Sequence, residues 1–162
     1  MDFPFTRIKG GVGAPQGFLT SAVSCGIKNP DAKRLDLALI HSELPCSSAG
    51  TFTTNRVKAA PVKVTQAHLR KGDLRTIIAN SGNANACTGM QGIQDATRMC
   101  EAVAKPLGLR RSEVGVCSTG VIGLPMPMMR IEPHYEKLVA GLGSKNGNEV
   151  AKAIITSDTH EK

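Results

Sequence analysis

Apolar and polar positions along the chain fall into short blocks with two different periods. Residues 18–27, 35–41, 50–54, 75–79 and 114–118 are rich in β-branched and other apolar side chains, and each block closes at or near a glycine, proline, asparagine or serine. Blocks of that length and punctuation predict strands. Between and after them the period lengthens. Over residues 93–105, Ile93, Ala96, Met99, Cys100 and Val103 recur at the three- and four-residue spacing of one helix face. Shorter helical patterns cover residues 133–140 and 149–155. Pro106 cannot continue the first of these helices, Pro133 suits a first helical turn, and Asn146 or Asn148 can cap the last. Strands interleaved with helices predict a mixed α and β class in a single domain, residues 1–162.

Composition narrows the function classes. With 162 residues and 41% hydrophobic side chains the chain can bury a genuine core. Its most apolar stretches, residues 35–40 and 76–79, fall far short of the ~20 residues that a bilayer-spanning helix needs. The segment MDFPFTRIKGGVGAPQG carries an early acid and no apolar run, so it reads as neither a secretory signal nor a transit peptide. The expectation is a cytoplasmic protein without a membrane segment.

Five cysteines, Cys25, Cys46, Cys87, Cys100 and Cys117, are odd in number and include no C-x-x-C pair. That spacing argues against a disulfide framework and a zinc site, and they read as reduced and mostly buried. His41, His68, His134 and His160 are scattered without a ligand spacing, so neither metal nor cofactor is expected. The formal charge of +7 is spread over the chain, and aromatics make up only 3%, which leaves little to stack on bases. Nucleic acid is therefore not the expected partner. The excess suits anionic small molecules or an acidic partner chain.

Four segments invite chemistry. GGVGAPQGF at residues 10–18 lacks the lysine and hydroxyl of a P-loop and the G-x-G-x-x-G spacing, so it reads as a flexible entry loop. NSGNANACTG at residues 80–89 follows a strand and precedes a helix; it is either a donor-rich turn for an anionic group or a tight turn that needs Gly and Asn for conformation alone. GVCSTGVIG at residues 115–123 reads as a buried strand entering a small-residue turn at Ser118, Thr119 and Gly120. A threonine hydroxyl beside a glycine amide can supply the two donors of an oxyanion hole, although T-G after a strand also occurs as a plain turn. AIITSDT at residues 153–159 either holds a polar ligand or caps a chain end. The Pro-rich piece at residues 124–129 reads as an ordered surface loop, its methionines filling a core gap or forming a contact surface. No Ser-His-Asp or Cys-His set can be placed by spacing, and neither Cys87 nor Cys117 has an identifiable activating base.

Taken together, AGTFTTNRVKAAPV at residues 49–62, IIANSGNANACTG at 77–89, GVCSTGVIG at 115–123 and KAIITSDT at 152–159 resemble, in order and spacing, the ornithine acetyltransferase family. The resemblance runs from Gly11 onward and points to the family's N-terminal α chain. Members are made as a precursor that cuts itself before an internal threonine, which becomes the N-terminal nucleophile of a β chain. They transfer acetyl from N-acetylornithine to glutamate through an acetyl-threonine, and some also accept acetyl-CoA. Carried over by position, Thr119 and Gly120 match the oxyanion pair and Thr156 matches an α-chain substrate contact. The implied fold is α+β, a layered α/β/β/α sandwich completed by the β chain, in an α2β2 or larger assembly, with apolar surface and strand edges exposed when the α chain is alone.

The resemblance has departures. The family's Ala-Thr cleavage site, with a Gly-rich stretch and a substrate-binding lysine before it, lies beyond the TSDT-like motif and outside these 162 residues. The expectation is an incomplete α chain or a fragment unable to mature itself, and neither Thr156 nor Thr159 is the nucleophile. Ser157 stands where the family usually has threonine. Two other readings remain: an N-terminal-nucleophile aminopeptidase relative, and a non-catalytic ligand-binding domain.

Overall fold

The computed structural model describes residues 8–31 and 33–158. Its centre is a four-stranded sheet in the order β1 (Phe18–Val23), β2 (Leu37–Ser42), β3 (Thr76–Asn83), β4 (Val114–Val121). The first three strands are antiparallel neighbours, and β3 and β4 run parallel, in register from Thr76 opposite Val114 to Asn83 opposite Val121. A parallel pair needs a long crossover. That crossover contains α2 (Gly89–Ala104), whose stripe Ala96, Met99, Cys100 and Val103 is completely buried against the sheet. The class is α+β, as expected.

Alternation along the strands divides the apolar residues between two faces. Val23, Leu37, Leu39, Ile78, Val114 and Val116 point to one side and form the main core with α1 (Ala60–Leu69), α2, α3 (Met128–Ile131) and α4 (Tyr135–Ala140). On the other side α5 (Gly147–Ala153) covers only β1 and β2, through Val150 and Ala153 against Ala38, Ala22 and Ile40. β2 is thus buried on both faces, which is why it reads as a nearly continuous apolar run. Across β3 and β4 the second face is left open: Ile77, Cys117 and Val121 are exposed, and Ile122 follows them.

Several expectations change. Residues 50–54 form no strand and lie in an irregular segment, because no described strand stands beside them to take their backbone groups. Helix α1 went unread: Pro61 opens it, and His68 takes a core-facing position that a hydrophobic pattern misses. The expected helix over 149–155 instead spans Gly147–Ala153. Asn146 sits at its cap position but gives its side-chain amide to the carbonyls of Thr20 and Gly141, so it ties the helix entry to β1 rather than capping it. Pro133 lies in a 3-10 turn, Glu132–His134, ahead of α4.

The remaining expectations concern loops and cysteines. The glycine-rich entry forms a 3-10 turn, Gly11–Gly13, packed on α5, not a loose loop. Met126 and Met128 fill the core while Met129 faces solvent. All five cysteines are free, yet only Cys25 and Cys100 are buried; Cys46 is half-buried, and Cys87 and Cys117 are exposed. His160 and Thr159 lie outside the described residues.

Candidate active site at the edge of the parallel strand pair

Ser118, Thr119 and Gly120 are not in a turn. They lie within β4, because β3 itself runs on past Asn80 to Asn83 and keeps pairing with them, Ser81 opposite Thr119 and Gly82 opposite Gly120. Two glycines face each other here, and the close approach depends on Gly120. Both have positive φ, +101° at Gly82 and +138° at Gly120, and a Cβ on Gly120 would sit 2.3 Å from the Gly82 carbonyl carbon and 2.5 Å from the Asn83 nitrogen. Two backbones meet here more closely than any side chain allows.

The ladder also fixes where the β4 amides point. In a parallel strand the N–H and C=O of one residue face the same neighbour, and successive residues alternate. The Val121 carbonyl accepts from the Ala84 N–H on the β3 side at 2.9 Å, whereas the N–H and C=O of Val116 face the opposite side, where α1 meets them. The alternation therefore directs the N–H groups of Ser118 and Gly120 away from β3, toward an edge that no described strand covers.

At that end of the sheet lies a cleft of about 560 Å³ lined by Lys28, Arg34, Ser81, Gly82, Thr119, Gly120 and Thr156, among others. Thr119 and Thr156 are both half-buried in its wall. The three residues singled out from the sequence, separated by up to 37 positions, thus come together. The Thr156 hydroxyl meets the Asp158 carboxylate at 3.3 Å, and its N–H meets the same oxygen at 3.1 Å.

Asp36, Arg34 and Lys28 in the cleft were missed by the sequence reading. Asp36 is buried, and its two oxygens accept the N–H groups of Cys25 and Ile27 at 2.6 and 2.7 Å, which holds the loop bearing Lys28 over the cleft. Its only trace in the sequence is an acid in an otherwise apolar strand block. Arg34 donates to the Ser81 hydroxyl at 3.3 Å and to the Ile155 carbonyl, and so fastens the Thr156 segment to β3 beside Thr119. Lys28 and Arg34 outnumber the single Asp36 carboxylate and give this end of the cleft a cationic side suited to a carboxylate.

The asparagine-rich segment serves the frame. Asn83 donates to the carbonyls of Leu124 and Pro125, and accepts from the Asn85 N–H. Asn85, at φ +46°, donates to the Gly92 carbonyl and accepts from Thr88. Of the two readings left open for this segment, the conformational one is what these bonds describe. Among the described residues no histidine or cysteine lines the cleft. Burial pushes the Cys25 and Cys100 thiols up to about 12, which keeps them protonated and out of nucleophilic chemistry.

Fold and cleft define a class: an α+β chain with a polar, cationic cleft at the C-terminal end of a parallel strand pair, next to a strand edge and sheet face left open. Comparison with known proteins gives the family. A family model described as the ArgJ family matches residues 19–162, and the chain belongs to that family. It is 46% identical over 155 residues to the arginine biosynthesis bifunctional protein ArgJ of Symbiobacterium thermophilum, an overlap covering 96% of this chain and 39% of that protein. The protein of the same name from Geobacter sulfurreducens is 50% identical over 147 residues, 91% of this chain and 37% of its own length. The chain therefore spans well under half the length of these relatives.

Two solved structures share the fold. Ornithine acetyltransferase of Mycobacterium tuberculosis, complexed with ornithine, superposes with a TM-score of 0.88 at 44% identity, covering 93% of this chain and 81% of that one. An arginine biosynthesis bifunctional protein of Bacillus halodurans gives 0.86 at 40%, covering 94% and 79%. No described helix is long and apolar enough to cross a membrane.

Proposed function

We propose that this chain is the α portion of an acetyltransferase of arginine biosynthesis that moves acetyl from N2-acetylornithine to glutamate, giving ornithine and N-acetylglutamate. A partner β chain brings an N-terminal threonine. Its hydroxyl attacks the acetyl carbonyl, the C–N bond breaks, and ornithine leaves with the proton on its amine. Glutamate's amine then takes the acetyl group and returns the threonine hydroxyl. In both tetrahedral intermediates the negative oxygen is held by the Thr119 hydroxyl and the Gly120 N–H. Thr156 contacts substrate from the cleft wall, and Lys28 and Arg34 favour its carboxylate.

The observation that carries this reading is the meeting of Thr119, Gly120 and Thr156 in one cleft, with the Gly120 N–H turned to the uncovered edge. The names of the relatives, an arginine biosynthesis bifunctional protein and an ornithine acetyltransferase complexed with ornithine, support it. The open face around Ile77, Cys117, Val121 and Ile122 supports a β chain as the missing layer of the sandwich. On this reading the enzyme works in the cytoplasm as an α2β2 or larger assembly, and acetyl-CoA is a second donor in members of the bifunctional type.

The test is co-expression with a β chain that begins in threonine, followed by an assay of ornithine release from N-acetylornithine. An intact, correctly cleaved complex that releases none overturns the proposal. In an active complex Thr119→Ala lowers kcat by about 10²-fold, the usual effect of removing one oxyanion donor. An unchanged rate refutes the role of Thr119.

A further inference from the structure

β4 is an edge strand whose outer side is only half exposed. Helix α1 lies along it, and the Thr65 hydroxyl donates to the Val116 carbonyl and accepts from the Val116 N–H, both at 2.8 Å. One hydroxyl thus makes the two bonds that a neighbouring strand would make. One turn further along α1, the buried His68 ring donates from Nδ1 to the Val114 carbonyl at 2.7 Å. The next outward-facing residues, Ser118 and Gly120, lie beyond these three bonds.

We propose that Thr65 is a positioning residue for the site: by clamping the outer edge of β4 at Val116, it sets where Thr119 and Gly120 stand relative to the nucleophile. The inference rests on the acyl-transfer reading above. Its physical basis is that β4 has one complete ladder, to β3, and a single ladder can hinge and twist about its own axis. Among the described residues Thr65 makes the last bond to the outer edge before the site, three residues before Thr119. At about 3.3 Å per residue Val116 is about 10 Å along β4 from Thr119, close enough for a tilt at Val116 to be felt at Gly120. A clamp made by one side chain also leaves the edge open from Ser118 onward, where a partner's reactive residue has to approach.

The experiment uses the co-expressed complex with Thr65→Val, Thr65→Cys and Thr65→Ser. Valine keeps the shape and removes both bonds. The expected result is a kcat roughly 10- to 100-fold lower with KM for N-acetylornithine little changed, since a misplacement of about 1 Å costs up to that much. Serine restores kcat to within about threefold, and cysteine, a weak donor and acceptor, falls between. Hydrogen exchange at Val116 is faster in the valine variant than in the wild type.

A valine variant with faster exchange at Val116 and unaltered kcat overturns the proposal, as does a serine variant as impaired as valine. If valine does not assemble, a cysteine variant with wild-type kcat overturns it. If the wild-type complex releases no ornithine, the acetyl-transfer reading has failed, and unchanged Val116 exchange in the variant separately refutes the clamp.

Discussion

Replacing Gly120 by alanine adds one methyl group where the structure has no room for it. The new Cβ would lie 2.3 Å from the Gly82 carbonyl carbon, 2.5 Å from the Asn83 nitrogen and 2.7 Å from the Gly82 oxygen. All three are backbone atoms, so no rotamer change relieves the contact, and β3 and β4 must part. Overpacking of this kind costs about 1–3 kcal/mol, and the positive φ adds about 1–3 kcal/mol for a residue with a side chain. Against a total stability of about 5–15 kcal/mol, a loss near 3–4 kcal/mol weakens the fold without abolishing it.

The assay is urea unfolding of the assembled protein. With a denaturant slope of about 1–3 kcal/mol/M, the midpoint falls by about 1–4 M. Gly123→Ala is the control, because Gly123 also has positive φ, +84°, but has nothing within 4 Å of its would-be Cβ. It tests the strain without the clash. Equal midpoints for the two variants would refute the close-approach argument, and wild-type kcat in Gly120→Ala would refute the placement of its N–H in the site.

Two further outcomes follow from the same geometry. Asp36→Asn leaves one of the Cys25 and Ile27 N–H groups facing an NH2 group, so it costs about 1.5–3 kcal/mol, and amide exchange over residues 25–29 accelerates; unchanged exchange there would show that the carboxylate does not hold the loop. Burial, reinforced by the Arg75 charge, lowers the His41 pKa below its usual 6.5. A base whose pKa is depressed by folding stabilises the protein while neutral, so this contribution is present above about pH 6.5 and is lost as pH falls below it. The melting temperature declines from pH 7.5 to pH 5 in the wild type, and His41→Gln flattens that slope; a slope unaltered in the variant would assign it to other groups.

Much of the frame was legible along the chain. The five-residue stripe of α2 and the doubly apolar run of β2 follow from periodicity alone, because burying one helix face or both sheet faces leaves a regular imprint on residue order. Thr119, Gly120 and Thr156 were legible through four ordered motifs. Helix α1 was not, since its inward residues include a proline at the start and a histidine whose partner is the Val114 carbonyl, 46 positions away.

The same limit governs the site. A side chain such as Asp36, Arg34 or Thr65 acquires its role from backbone groups that the fold delivers, and neither burial pattern nor spacing records which carbonyl or N–H will stand opposite it. Residue order by itself determined the α+β class, α2, the cores of the four strands and the chemical types at the cleft. The tertiary structure alone decided that Ser118 to Gly120 continue a strand rather than turn, because β3 extends beside them and Gly120 lets the backbones touch. It also decided which amides face the open edge, since that depends on the ladder and on the helix lying against it.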